Sequence, residues 1–233
     1  LGPVAWYFDI NRGDRFDYLV SLESKAFGFK DYASARFPET WKARQNPAMG
    51  DMNTTLVKTV KGRSIMIQHD VTSPRPYSRI NLVSGSRGIL KDYPYQVALS
   101  KKRGDGAHEW ESAESAEKIR KEYMHPLWKE AGEFAKVVGG HGGMDFLMIL
   151  RLCYCLQNGL PLDMDVYDLA AWCSVCELSE RSVRNRSATQ DVPDFTKGAW
   201  MSGRPVVIEP VGLEKMGFKR DGEIKKDSAQ LSV

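Results

Sequence analysis

The chain has 233 residues, of which 42% are hydrophobic and 27% are charged, and this composition suits a globular chain with a substantial core. The 33 basic and 30 acidic residues are interspersed and give a net charge of +3, so neither nucleic acid nor a membrane is expected as a partner. No run of about 18 apolar residues occurs, so no transmembrane helix is predicted. No feature assigns a compartment.

The chain opens on a short predicted helix. Gly2 and Pro3 precede the apolar run 4–8, and proline is favoured in the first turn of a helix. Because the chain starts inside an element, we expect it to be part of a longer protein.

The first half is rich in β-forming residues, with Lys61-Gly62 as a hairpin-turn signal. Consecutive strands joined by short turns favour an antiparallel sheet with one covered face. The predicted strands are 16–22, 53–60, 63–70, 78–84, 89–90 and 95–99.

The second half changes to helical periodicity, with a glycine-rich hinge at 139–143. Asp163 is the predicted N-cap of the last helix, and a final strand is predicted at 206–208. Strands followed by helices predict an α+β fold, namely a mostly antiparallel open sheet with helices packed on one face. The predicted helices are 126–138, 144–157 and about 163–183.

The four cysteines are Cys153, Cys155, Cys173 and Cys176. The first two lie on opposite sides of a predicted helix, because two residues correspond to about 200° of rotation. A metal site would need all four to converge, so buried free thiols are the favoured interpretation and no metal is expected.

Several common catalytic motifs are absent from the sequence. It contains no glycine-rich dinucleotide fingerprint, no phosphate-binding loop and no nucleophile elbow. No two of its four histidines lie within four residues of each other. The acidic residues near 165 are explained by helix capping, so no acid/base carboxylate pair is evident.

The loop between the third and fourth predicted strands carries Arg75 and Tyr77, flanked by Pro74 and Pro76. Proline stiffens such a loop, arginine can hold a planar or anionic group, and tyrosine can act as a general acid or base. The alternative is a structural crossover with Tyr77 packed inward. The residues alone leave both interpretations open.

Two other polar stretches are candidates. His141, between two glycine pairs, could present its imidazole to a ligand, or it could cap the following helix. The stretch 11–15 contains Arg-Gly-Asp but is best interpreted as a turn into the first strand, held by contacts between arginine and aspartate.

Seven motifs occur together over nearly the whole chain. They are 1–5 (LGPVA), 11–21 (NRGDRFDYLVS), 68–70 (QHD) with 73–79 (SPRPYSR), 141–146 (HGGMDF), 158–163 (NGLPLD), 165–168 (DVYD) and 191–196 (DVPDFT). Together they resemble glycoside hydrolase family 109, a branch of the Gfo/Idh/MocA superfamily.

The resemblance implies a two-domain enzyme. An N-terminal Rossmann domain, absent from this chain, would bind NAD, and residues 1–233 would form the C-terminal substrate and oligomerisation domain. Family members are implied to cleave N-acetylgalactosaminides: NAD oxidises C3 of the sugar, the C2 proton and the aglycone leave, water adds, and the hydride returns. No carboxylate pair is needed, and no cofactor is expected on this chain alone.

The resemblance also implies site residues. Tyr77 matches the substrate-binding tyrosine and is our candidate catalytic residue, with Arg75 and His141 as further substrate contacts. A Tyr-Pro-Thr-His motif of the family would precede this chain, so we expect the chain alone to be inactive. The expected partners are an N-acetylgalactosamine-containing glycan, the Rossmann domain, and further copies bound through the exposed sheet face.

Two alternatives stand beside this hypothesis. The chain could belong to a sugar oxidoreductase of the same superfamily, which would release reduced cofactor. It could also be a non-catalytic carbohydrate-binding or oligomerisation module.

Overall fold

The computed structural model describes residues 1–70, 72–102, 104–105 and 108–208. The chain forms two compact units: the first comprises Leu1–Pro74 and Pro161–Val207, and the second comprises Arg75–Leu160 and resumes at Ile208. The remainder of the predicted domain, 209–233, lies outside the described residues. In the described part, no helix combines the length and apolar character needed to cross a bilayer.

The first unit is built on a four-stranded antiparallel sheet. Its strands are Phe16–Glu23 (β1), Met52–Thr59 (β2), Ser64–Asp70 (β3) and Gln190–Asp191 (β7), and their spatial order is β3-β2-β1-β7. The hairpin register pairs Val57 with Ile65 and Leu56 with Met66, which confirms the turn predicted at Lys61. Its helices are Gly2–Tyr7 (α1), Gly28–Arg36 (α2) and Val166–Arg184 (α6).

The core of the first unit lies on one face of this sheet. Helices α1 and α6 supply Ala5, Ala171 and Val175, which pack against Leu19 of β1 and Val57 of β2. The predicted arrangement of helices on one sheet face is therefore confirmed for this unit. The opposite face carries exposed apolar side chains of all three long strands.

A buried cluster of hydroxyl groups also joins α6 to the sheet. The backbone N–H of Ser21 donates to Oγ of Ser182 at 2.9 Å, and Oγ1 of Thr55 lies 2.9 Å from Oγ of Ser179. Each of these buried polar groups has a partner, so the cluster fixes the position of the helix without an unsatisfied donor.

The N-terminus of α6 is formed by a capping box centred on Asp165. Its carboxylate accepts from the backbone N–H of Asp168, and the Asp168 carboxylate accepts from the backbone N–H of Asp165, both at 3.0 Å. The prediction of Asp163 as N-cap was wrong by two residues, because only Asp165 has an acidic residue three positions ahead to complete the box.

The second unit contains a three-stranded antiparallel sheet and three helices. The strands are Leu82–Gly85 (β4), Gly88–Lys91 (β5) and Gln96–Leu99 (β6), in that spatial order. The helices are Ala113–Glu122 (α3), Pro126–Val138 (α4) and Met144–Gln157 (α5). Leu127, Ala131 and Phe134 of α4 pack against Leu147 and Leu150 of α5.

The α+β class is confirmed, but the single predicted sheet is two separate sheets. The predicted strand 78–84 was wrong over its first part: Ile80 has a positive φ of 48°, which an extended strand does not allow, and residues 73–81 run irregularly until β4 begins at Leu82. The strand predicted at 206–208 does not form; Ile208 packs instead against the core of the second unit. Helices α2 and α3 were missed.

Candidate functional site

Tyr77 lies on the irregular segment between β3 and β4 and is 72% exposed. Nε of Arg79 donates to its hydroxyl oxygen at 2.8 Å, and its ring meets Tyr93 edge-on with centroids 6.0 Å apart. The alternative of a structural crossover with Tyr77 packed inward is therefore wrong. Arg79 contacts the hydroxyl group and Tyr93 contacts the ring, so both parts of the phenol are oriented while most of the side chain remains exposed.

The contact with Arg79 places a permanent positive charge beside the phenol oxygen. The hydrogen bond to Tyr77 raises the pKa of the Arg79 guanidinium above its usual value, so the cation is retained at any working pH. Because the oxygen accepts from Arg79, the Tyr77 O–H is left to donate to a ligand. Negative charge developing on this oxygen would be stabilised by the same cation, which suits an acid/base group.

His141 lies in a turn of five successive residues with positive φ, from Gly139 to Gly143. Glycine tolerates this conformation, whereas the φ of 46° at His141 is uncommon for a residue with a Cβ. The turn directs the imidazole outward, and its side chain is 73% exposed. His141 does not cap the backbone of α5, so that alternative was wrong.

The imidazole of His141 is held by Asp145 in the first turn of α5. Nδ1 of His141 lies 2.8 Å from Oδ2 of Asp145. An ionised carboxylate can only accept, so Nδ1 carries the proton of this bond. In the neutral ring, Nε2 then presents a lone pair to solvent and can accept a hydrogen bond from a ligand hydroxyl.

The three candidate residues Arg75, Tyr77 and His141 all belong to the second unit. The structure does not join Tyr77 to His141 by a hydrogen bond: within the described residues, the contacts of Tyr77 are with Arg79 and Tyr93, and that of His141 is with Asp145. Sequence analysis missed Arg79 and Asp145 as orienting groups, although their spacing of two and four residues was available.

The Arg-Gly-Asp stretch of the first unit is confirmed as a turn held by arginine–aspartate contacts. Arg12 donates to both carboxylate oxygens of Asp168, each at 2.7 Å, and Arg63 donates to the fully buried Asp14 at 2.8 Å. Hydrogen bonding to Asp168, which outweighs the opposing effect of burial, raises the pKa of Arg12.

The prediction that the four cysteines are buried free thiols is only partly confirmed. Cys155 is buried and Cys153 is exposed, which confirms that they lie on opposite sides of α5. Cys173 and Cys176 are both exposed on α6, so the expectation of buried thiols was wrong for three of the four, because those positions face solvent. Across the described part of the chain, no three histidine, cysteine or acidic side chains cluster so as to hold a metal ion.

The described residues do not fit a dinucleotide cofactor. A pyrophosphate site of the Rossmann kind requires a parallel βαβ unit with a glycine-rich turn after its first strand. Both sheets in the described part are antiparallel throughout, and the glycine-rich turn 139–143 joins two helices.

Comparison with known proteins confirms the family resemblance that the sequence motifs indicate. The family model for the C-terminal domain of glycosyl hydrolase 109 matches residues 1–202. A glycosyl hydrolase family 109 protein of Shewanella amazonensis is 53% identical over 209 residues, which cover 89% of this chain and 46% of the relative. Similar proteins of Shewanella pealeana and Shewanella woodyi are each 51% identical and are covered to 45% and 46%. The chain thus spans just under half the length of these relatives.

Proposed function

Because the chain belongs to glycosyl hydrolase family 109, as the C-terminal domain of that family, we propose that the complete protein hydrolyses N-acetylgalactosaminides in an NAD-dependent reaction. The observation that carries this proposal in the structure is the exposed phenol of Tyr77, oriented by Arg79 and Tyr93 on the loop that contains the family-like Pro-Arg-Pro-Tyr sequence.

In this proposal the second unit contributes substrate contacts. Tyr77 donates its O–H to the sugar or to a departing oxygen, and the charge of Arg79 limits the cost of a developing phenolate. His141 accepts a sugar hydroxyl through Nε2, with Asp145 fixing its tautomer. Arg75, exposed two residues before Tyr77, is the proposed contact for the acetamido carbonyl.

The cofactor would be held outside this chain. NAD would supply the capacity to take up and return a hydride, and a domain preceding Leu1 would bind it. The antiparallel sheets described above do not fit that role, so the residues of this chain are assigned only to binding and orienting the sugar and to proton transfer at Tyr77.

We further propose that the exposed face of the four-stranded sheet binds a second copy of the chain. Val20 of β1 pairs with Leu56 of β2, and Leu56 pairs with Met66 of β3, so the three side chains form one apolar row across the sheet. Leu56 and Met66 are exposed, as is Leu22 next to this row. A contiguous apolar surface of this kind is a common contact between protein subunits.

The glycosidase proposal is tested with the complete protein carrying Tyr77→Phe. Removing one acid/base group is expected to lower the release of p-nitrophenol from p-nitrophenyl N-acetylgalactosaminide by at least about 100-fold. Tyr123→Phe is the matched control, since Tyr123 is equally exposed in the same unit and makes no side-chain contact with Tyr77; it should retain activity.

Three outcomes would count against the proposal. Near-wild-type turnover in Tyr77→Phe would remove Tyr77 from the site. Net accumulation of NADH during sugar oxidation would favour an oxidoreductase. Sugar binding that is indifferent to NAD, with no turnover by the complete protein, would favour a binding module.

A further inference from the structure

A cavity of about 290 Å³ lies within the first unit, at the N-terminal end of α6. Three chain segments form its wall: the turn after α1, the start of α6, and the segment from 196 to 204. None of these segments belongs to the loop of Tyr77 or to the turn of His141. The polar side chains that line it are Asn11, Arg12, Asp165, Tyr167, Thr196 and Arg204.

The cavity is rigidly built. Arg12 is fixed by its two 2.7 Å hydrogen bonds to the buried Asp168 and reaches Asp165 at 3.3 Å. Gly203 lets the third segment approach the first, because a Cβ there would lie 2.8 Å from Cα of Arg12 and 2.9 Å from the carbonyl oxygen of Asn11. This part of the wall is therefore formed before a ligand binds, so binding carries little conformational-entropy cost for ordering it.

Several polar groups at the cavity are available to a ligand. Considering only the described residues, neither the guanidinium of Arg204, the hydroxyl of Tyr167 nor the side-chain oxygen of Asn11 has a hydrogen-bonding partner in the protein. Oδ2 of Asp165 accepts only from Arg12. The cavity thus offers both donors and acceptors next to the ring of a tyrosine.

The charges at this site balance. Arg12 and Arg204 contribute two positive charges, and Asp165 and Asp168 contribute two negative charges. A cavity without excess charge does not concentrate anions or cations, and a wall that exposes polar and apolar surface in similar amounts favours a ligand that carries both kinds of surface. A neutral polyhydroxylated ligand matches it best, since each hydroxyl group can both donate to and accept from such a mixed set.

We propose that this cavity is a binding subsite for one neutral sugar unit. Arg204 and Asp165 hold neighbouring hydroxyls as donor and acceptor, and the ring of Tyr167 covers the C–H face of the sugar. The inference does not rest on the proposed glycosidase function, since it would stand for a binding module or an oxidoreductase as well.

The test uses the complete protein with Tyr77→Ala, so that the phenol of Tyr77 does not contribute to binding. Galactose and a linear galacto-oligosaccharide are titrated and followed by calorimetry, with saturation-transfer NMR to identify the bound unit. Binding is expected to persist in Tyr77→Ala. Adding Tyr167→Ala and Arg204→Ala should weaken it by at least about tenfold, since a hydrogen bond to a charged group and the ring contact are both lost.

Arg184→Ala is the matched control, because this arginine is also exposed, lies at the other end of α6 and pairs with Glu180; it should leave the affinity unchanged. Binding of the oligosaccharide alone would assign the subsite to a residue within a glycan, and binding of both probes would show that a free sugar suffices. Unchanged affinity in the variant lacking Tyr167 and Arg204, displacement of the sugar by sulfate, or no binding by folded protein would each overturn the proposal. Turnover of the nitrophenyl glycoside is measured separately, so the two proposals can fail independently.

Discussion

The buried carboxylate of Asp14 is expected to be the main polar support of the turn between α1 and β1. It accepts from the backbone N–H of Arg15 at 2.8 Å, from that of Lys61 at 3.0 Å and from the Arg63 side chain at 2.8 Å. In Asp14→Ala, two backbone donors lose a charged acceptor, at about 1.5 kcal/mol each. Arg63 is 41% exposed and can be hydrated instead, so it adds little. We therefore expect a loss of about 3 kcal/mol.

This loss is measured by thermal unfolding of the complete protein followed by circular dichroism. For an unfolding unit of 150–250 residues, the size range of this chain, about 3 kcal/mol corresponds to a decrease in Tm of roughly 6–12 °C. Asp17→Ala is the matched control, since Asp17 is 42% exposed and lies 3.7 Å from Arg15. Such a surface pair contributes at most about 1 kcal/mol. Equal decreases in the two variants would refute the assignment of Asp14 as the supporting group.

The contribution of Asp14 should also depend on pH. Burial alone would raise its pKa, but the hydrogen bonds from Thr59, Lys61, Arg63 and Arg15 outweigh burial and lower the pKa below its ordinary value. The stabilisation is therefore fully present above about pH 4 and is lost as the pH falls through the lower, folded-state pKa. The difference in Tm between the parent and Asp14→Asn should shrink on acidification below pH 4. A difference that grows would contradict the reasoning.

Two further predictions concern the first unit. The carboxylate of Asp51, which lies outside α2 in the chain, caps the N-terminus of this helix, and its pKa is lowered, first by the backbone N–H of Gly28. Asp51→Ala should therefore lower the hydrogen-exchange protection factors of the first turn of α2 about fivefold, as protonation of Asp51 below about pH 4 also should; Asp31→Ala should not. Leu56→Lys should convert the proposed dimer to a monomer, as measured by analytical ultracentrifugation. Met49→Lys is the control, since Met49 is similarly exposed but lies outside the sheet, and it should not change the sedimenting mass. An unchanged mass in Leu56→Lys would exclude the exposed face of the four-stranded sheet as the dimer interface.

Helices with local signals could be predicted to the residue. Helix α4 begins at Pro126 and ends at Val138 before Gly139, and α5 ends at Gln157 before Asn158, as the sequence indicates. Proline is favoured in the first turn of a helix because its φ is already helical, and glycine is favoured just after the last turn because it tolerates a positive φ, so no distant contact is needed.

Elements that depend on distant residues could not be predicted in this way. The N-terminus of α2 has no capping side chain of its own; the backbone N–H groups of Phe27 and Gly28 donate to Asp51, more than twenty residues away. By contrast, α3 has a local cap in Ser112, which accepts from Ser115, and that signal was overlooked. The division of the strands into two sheets is also a tertiary property that β propensity does not encode.

The candidate site shows the same division between local and distant information. Tyr77 and His141 were identified from single motifs, and their orienting partners Arg79 and Asp145 lie within four residues of them. The cavity beside Arg12 escaped sequence analysis, because its walls come from segments more than 150 residues apart. No periodicity or motif spacing brings such segments together.

The exposure of the candidate residues itself argues for a further surface at the proposed active site. Tyr77 and His141 are 72% and 73% exposed, whereas charge stabilisation of the kind proposed for Tyr77 and Arg79 is effective where water is excluded. In bulk water, the guanidinium next to the Tyr77 oxygen would stabilise a phenolate only slightly. The proposed chemistry therefore requires that another surface, either the proposed NAD-binding domain or the substrate, cover Tyr77 during turnover.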